Sequence, residues 1–209
     1  MGVPTLLDVR RAVASSWRSR PESTISWPDP HPDRAPLDEE YSRVTDPHRY
    51  TVVGARVRSW ADALVALGLA EAHPTADDGV RLIPAAPGAL PLHIGVRSME
   101  GAPGTVVDLL VGDPPIEIGV LPDCGCDACD SGSADLLEAI DEQFVGVMGG
   151  GFVLIDSERS RIIAWSDGWS ASGNTGDVAA AVAAARRGER RAGQRVLVGA
   201  SWWSCAAPA

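Results

Sequence analysis

The chain has 209 residues, 45% hydrophobic and 22% charged, an ordinary globular composition that can bury a sizeable core without disulfides. Its formal charge is −10 and all 18 basic residues are arginine, which opposes binding to a phosphate backbone; nucleic acid is not expected as a partner. No stretch approaches the roughly 18 consecutive apolar residues of a membrane helix, and the N-terminus lacks a signal peptide's apolar centre, so a cytoplasmic location away from membranes is expected.

In chain order, Leu6, Val9, Val13 and Trp17 recur at spacings of three and four, the mark of a helix that Pro21 ends. Four prolines fall between Pro28 and Pro36, which forbids helix and central strand alike. That segment reads as an extended strap, with Trp27 and His31 as its anchors. The division expected is a helix and Pro-rich connector over 1–36, then a single α+β domain over 37–209.

A long helix is expected from about His48 to Leu67, where Tyr50, Val53, Val57, Trp60, Leu64 and Leu67 form one apolar stripe. Asp46 stands at its N-cap, Pro47 at its first position and Gly68 at its stop. Residues 73–80 read as a polar loop. From about residue 90 the period changes to two. Leu92, Ile94 and Val96 alternate with polar or small residues, as do Ile116, Ile118 and Val120, with Val106–Val111 between them. Short turn-rich connectors make these three an antiparallel meander.

The second half repeats both patterns. Ser133–Met148 is expected to be a helix with Asp135, Glu138, Asp141 and Glu142 on its solvent face. Phe152–Ile155 and Arg161–Ser166 form a hairpin, and Asp177–Arg187 a helix capped by Asn174 or Thr175. Gly168–Gly173 fails the G-x-S-x-G pattern, since Ser172 takes the second glycine's place; it reads as a loop whose Trp169 covers the core. A short strand at Arg195–Val198 follows, and Trp202 and Trp203 are expected to pack against the sheet. The fold class is α+β, with a mainly antiparallel sheet (meander plus hairpin) against two or three helices.

The chemistry concentrates between Leu121 and Ser133, LPDCGCDACDSGS, where a strand gives way to a helix. Cys124, Cys126 and Cys129 are spaced C-x-C-x₂-C; Pro122 ends the strand and Gly125 lets the backbone turn, so the three thiolates can converge. Zinc takes four ligands in a tetrahedron, and three local thiolates plus one further donor would complete it. Asp123, Asp127, Asp130, His93 and Cys205 are the candidates for the fourth place. A structural zinc held by Cys124, Cys126 and Cys129 is the first reading, in a binding or adaptor protein. The alternative is thiol–disulfide chemistry at Cys126 and Cys129, a C-x-x-C just before a helix, although Asp123, Asp127 and Asp130 would surround the thiols with negative charge and raise their pKa.

Four stretches, WPDPHPDR (27–34), YSRVTDP (41–47), LPDCGCDACDSGSADLL (121–137) and DGWSASG (167–173), resemble an uncharacterised actinobacterial family of unknown function. The cysteine stretch is the most specific of them. The resemblance implies kinship and no particular activity, and Cys205 lies outside all four stretches.

Overall fold

A computed structural model describes residues 2–75 and 78–203. The elements run α1 (Leu6–Arg18), α2 (Thr51–Ala66), β1 (Ala70–Pro74), β2 (Val80–Pro84), β3 (Leu92–Met99), β4 (Ala102–Val111), β5 (Ile116–Leu121) and α3 (Ser133–Met148). They continue with β6 (Phe152–Ser157), β7 (Ser160–Ala164), β8 (Trp169–Gly173), α4 (Val178–Arg186) and β9 (Arg195–Gly199). Both sheets are antiparallel, with strand orders β1-β2-β3-β4-β5 and β8-β7-β6-β9, so the fold is α+β.

The principal core lies between the two sheets and their helices. α2 buries Val52, Val53, Val57, Trp60 and Leu64 and packs across β4. Each such side chain contributes about 1.5–3 kcal/mol when fully removed from water. Trp60 stacks on Phe144 of α3, with ring centroids 5.1 Å apart. The alternation along β6 divides two cores: Phe152 and Leu154 face the principal one, while Val153 and Ile155 face α4 through Val178 and Val182. Val9 and Val13 of α1 join the principal core. Among the described residues, no helix is long and apolar enough to cross a membrane.

Several local expectations are corrected. Both ends of the expected 73–80 loop, His73, Pro74 and Val80, belong instead to a hairpin, with Ala70 pairing Pro84 and Pro74 pairing Val80. β1 buries only Ala70, so it carries no period-two signal to read. The long helix starts as a 3₁₀ turn, Pro47–Tyr50, and Asp46 makes no capping bond with its side chain. α4 is capped by Asp177, whose carboxylate accepts from the Ala180 N–H at 3.0 Å, and not by Asn174 or Thr175. Gly168–Gly173 is largely strand β8, at a sheet edge, and Trp169 is 60% exposed instead of covering the core. Trp202 and Trp203 are buried, as expected.

Asp141 also leaves its expected solvent role. Its carboxylate accepts from Trp60 Nε1 at 2.7 Å and from Arg56 Nε at 2.8 Å, tying α3 to α2. Periodicity places Asp141 at the margin of the apolar stripe, where a neighbouring helix can reach it.

Candidate metal centre

β5 ends at Leu121, and the chain enters the cysteine segment through a cis Leu121–Pro122 bond. A single 3₁₀ turn, Asp127–Cys129, then reverses it towards α3. The reversal gathers all three cysteine sulfurs within 4.8 Å of one another, with Cys124 Sγ and Cys126 Sγ 3.1 Å apart. Gly125 keeps ordinary φ; its role is clearance, since a Cβ there would fall 2.1 Å from Met99 Cε. Cys126 is buried and Cys124 and Cys129 are exposed, and none of the three forms a disulfide.

What fixes the segment is a set of partners drawn from the strap and from the approach to α2. Asp127 accepts from Arg43 Nε at 2.6 Å, from the Thr45 N–H at 2.9 Å and from the Thr45 hydroxyl. Its own N–H donates to Arg43 O at 2.7 Å. Burial pushes the Asp127 carboxyl up, but the bonds from Arg43 and Thr45 outweigh it and hold the group below its usual range. Asp130 accepts from Trp27 Nε1 at 2.9 Å and pairs with Arg49 at 2.7 Å. The Arg49 guanidinium also stands 5.1 Å from the ring centroids of both Trp27 and Tyr50.

The strap completes the N-terminus of α3. The Ser133 N–H donates to Trp27 O at 3.0 Å, and the Trp27 N–H donates to Ser133 Oγ at 3.1 Å. Gly132, the residue before the helix, has φ +90°, and a Cβ there would lie 2.7 Å from Asp29 N. Only glycine fits that approach. Further along the strap, Glu40 accepts from Arg34 at 2.7 and 2.9 Å, from the Leu37 N–H at 2.6 Å and bonds His31 Nε2 at 3.2 Å. Trp27 and His31 are thus both anchors.

The carboxylates therefore do not act on the thiols as expected. Asp127 and Asp130 spend their charge on Arg43 and Arg49. The Cys129 thiol is pushed up to about 12, first by its hydrogen bonds with Cys126 and Cys124 and then by burial. Burial also raises Cys126, but hydrogen bonds from Cys124, Cys129 and nearby backbone N–H groups outweigh it and lower that thiol.

The candidates for a fourth donor fare as follows. Asp127 and Asp130 are committed to the arginines. Asp123 Oδ1 accepts from the Cys124 N–H at 2.8 Å. His93 bonds Gly112 O at 3.1 Å, at the end of the sheet where β5 begins, whereas the cysteines follow its other end. Cys205 lies outside the described residues. Among the described residues, no carboxylate or imidazole joins the three sulfurs.

The donor set fits a thiophilic metal ion. Tetrahedral zinc with bonds of about 2.3 Å would hold its sulfurs about 3.8 Å apart. The separations here, from 3.1 Å to at most 4.8 Å, bracket that value and need only small side-chain adjustments. The three close cysteines could hold a metal ion.

Sequence reasoning missed Arg43, Thr45, Arg49, Tyr50 and Ser133 as parts of this centre. Arg43 and Thr45 fall within the YSRVTDP stretch, which reads locally as a lead-in to α2; nothing local points across 84 positions to Asp127. The DGWSASG stretch is not brought to the centre: it forms the exposed edge strand β8. Comparison with curated proteins and with solved structures finds no match. The family comparison is positive over nearly the whole chain: residues 13–207 match DUF6226, and the chain belongs to this family of unknown function.

Proposed function

We infer that Cys124, Cys126 and Cys129 hold a zinc ion whose main task is structural, in a protein that works by binding. The observation that carries this reading is the convergence of the three sulfurs within 4.8 Å, undivided by any disulfide. A metal there supplies a cross-link between the end of β5 and the start of α3, where the cysteine segment has only one turn of helix of its own. Softness of the donors favours zinc over magnesium or calcium. The reading goes with a cytoplasmic setting, in which clustered thiols stay reduced and serve metals more often than disulfides.

Metal content by elemental analysis, with free thiols counted on the same untagged protein, tests it. About one zinc per chain is expected, together with loss of that zinc and a lower melting temperature in Cys126→Ser. A Cys126→Ser protein that loses neither would refute the reading.

The second reading, dithiol redox chemistry at Cys126 and Cys129, draws on the contrast between a lowered and a raised thiol. Its difficulty is access, because the lowered thiol is the buried one and the raised thiol the exposed one. A free-thiol count that does not change across a glutathione redox titration would exclude it.

A further inference from the structure

Zinc takes four ligands, and the described residues supply three. Asp127 and Asp130 are engaged by the arginines, His93 bonds Gly112 O at the other end of the sheet, and the Asp123 carboxylate, which accepts from the Cys124 N–H, does not join the three sulfurs. The described chain ends just after Trp202, whose N–H donates to Met148 O. That is the far end of α3, a helix of 16 residues and hence about 24 Å long, from Ser133, where the cysteine segment joins it.

A cavity of about 370 Å³ opens beside the sulfurs, and Cys124, Cys129, Tyr50, Leu136 and Gln143 line it. Two polar side chains there have hydrogen-bonding capacity to spare. Tyr50 is 2% exposed, and its hydroxyl accepts from Arg49 at 3.3 Å but donates to no described residue. Burial raises its pKa, so the hydroxyl keeps its proton at neutral pH. The Gln143 amide makes no hydrogen bond to any described residue; it lies 4.0 Å from where a Cβ of Gly119 would stand. A buried hydroxyl with a proton to donate, a half-buried amide and two exposed thiols thus line one cavity, with donors and acceptors that a small ligand could use.

The geometry points to an open fourth position on the metal, held at rest by water and exchangeable for a small neutral molecule. That molecule would bind the metal through nitrogen or oxygen and hydrogen-bond to Tyr50 and Gln143. Neutrality follows from charge: three thiolates more than balance a divalent cation, so an anionic ligand would add negative charge to an already negative centre. The inference rests on the metal reading above, and it makes the centre one of the open kind, with three protein ligands, that serves ligand exchange.

The test uses the full chain with cobalt in place of zinc. X-ray absorption counts the sulfurs on the metal, and visible absorption follows a titration with imidazole. Three sulfurs with one lighter atom are expected, and a saturable spectral change on adding imidazole. Tyr50→Phe and, independently, Gln143→Leu should each weaken imidazole binding about fivefold, the worth of one neutral hydrogen bond, with metal content unchanged. Four sulfurs, whether Cys205 or a second chain supplies the last, would overturn the open position and leave the metal reading standing. Three sulfurs with no response to imidazole would do the same. A protein that takes up neither cobalt nor zinc would overturn the metal reading itself.

Discussion

The indole N–H of Trp27 donates to both carboxylate oxygens of Asp130 at 2.9 Å, across 103 positions of sequence. One bond thereby joins the proline strap to the segment that carries the thiols. Asp130 is nearly fully buried and its other strong partner is Arg49. Trp27→Phe removes the indole N–H, together with part of the ring that packs on Tyr50 and Arg49, and leaves a buried carboxylate short of a donor. That should cost about 1–3 kcal/mol in urea unfolding. Because groups behind a metal's ligands orient them, zinc affinity should fall at least about tenfold in a competition titration with a chromogenic chelator. Unchanged affinity would mean that the strap does not support the centre.

Glu40 gives the strap a dependence on pH. Hydrogen bonds from Arg34, then from the Leu37 N–H, and the charge of Arg34 hold its carboxyl well below the usual carboxylate range. A carboxylate whose folded pKa is depressed stabilises the fold fully above its unfolded pKa of about 4.3, and less as pH falls towards the folded value. Glu40→Gln should therefore be less stable than the parent near about pH 7, with the gap narrowing towards about pH 3. Urea midpoints at the two pH values check this. A gap that stays constant would show that Glu40 contributes nothing through its charge.

Asp141 supplies the contrast, since it ties α3 to α2 without touching the cysteine segment. Asp141→Asn keeps the shape but discards the charge that Arg56 pairs with, and turns half of the acceptor for Trp60 and Arg56 into a donor. The expected loss is about 2 kcal/mol of stability with zinc content unchanged, read by unfolding and elemental analysis on one preparation. Loss of metal together with stability would make the centre merely a reporter of global folding.

Elements with a strong period were legible from sequence, and contacts between distant segments were not. The stripe Tyr50–Leu64 and the alternation of Leu92, Ile94 and Val96 announce α2 and β3 because large apolar residues recur in each at the period of its element. β1 and β8 leave most of their residues exposed, so neither their existence nor the exposure of Trp169 could be read. The thiol cluster was legible because its three members lie within six positions. Its supports were legible only as composition: Trp27, Arg43 and Asp127 each look like local features until the fold brings them together. The charge around the thiols was misjudged for the same reason, since the arginines that neutralise Asp127 and Asp130 are remote in sequence.

The approach of α2 to β4 offers a last test, independent of the thiols. Gly54 is buried within α2, and a Cβ there would lie 2.6 Å from the carbonyl oxygen of Gly104 and 3.3 Å from its carbon. Two opposing effects are at work in Gly54→Ala. Alanine in a helix interior is favoured over glycine by about 1 kcal/mol. The contact is with backbone rather than with the end of a mobile side chain, so the helix must lift from the sheet, and overpacking of this kind costs about 1–3 kcal/mol. Lifting α2 also loosens Trp60 and Leu64, which have no exposure to spare. The second effect should prevail, giving a net loss of about 1–2 kcal/mol in urea unfolding. A neutral or stabilising result would mean that α2 and β4 are less closely packed than the position of Gly104 requires.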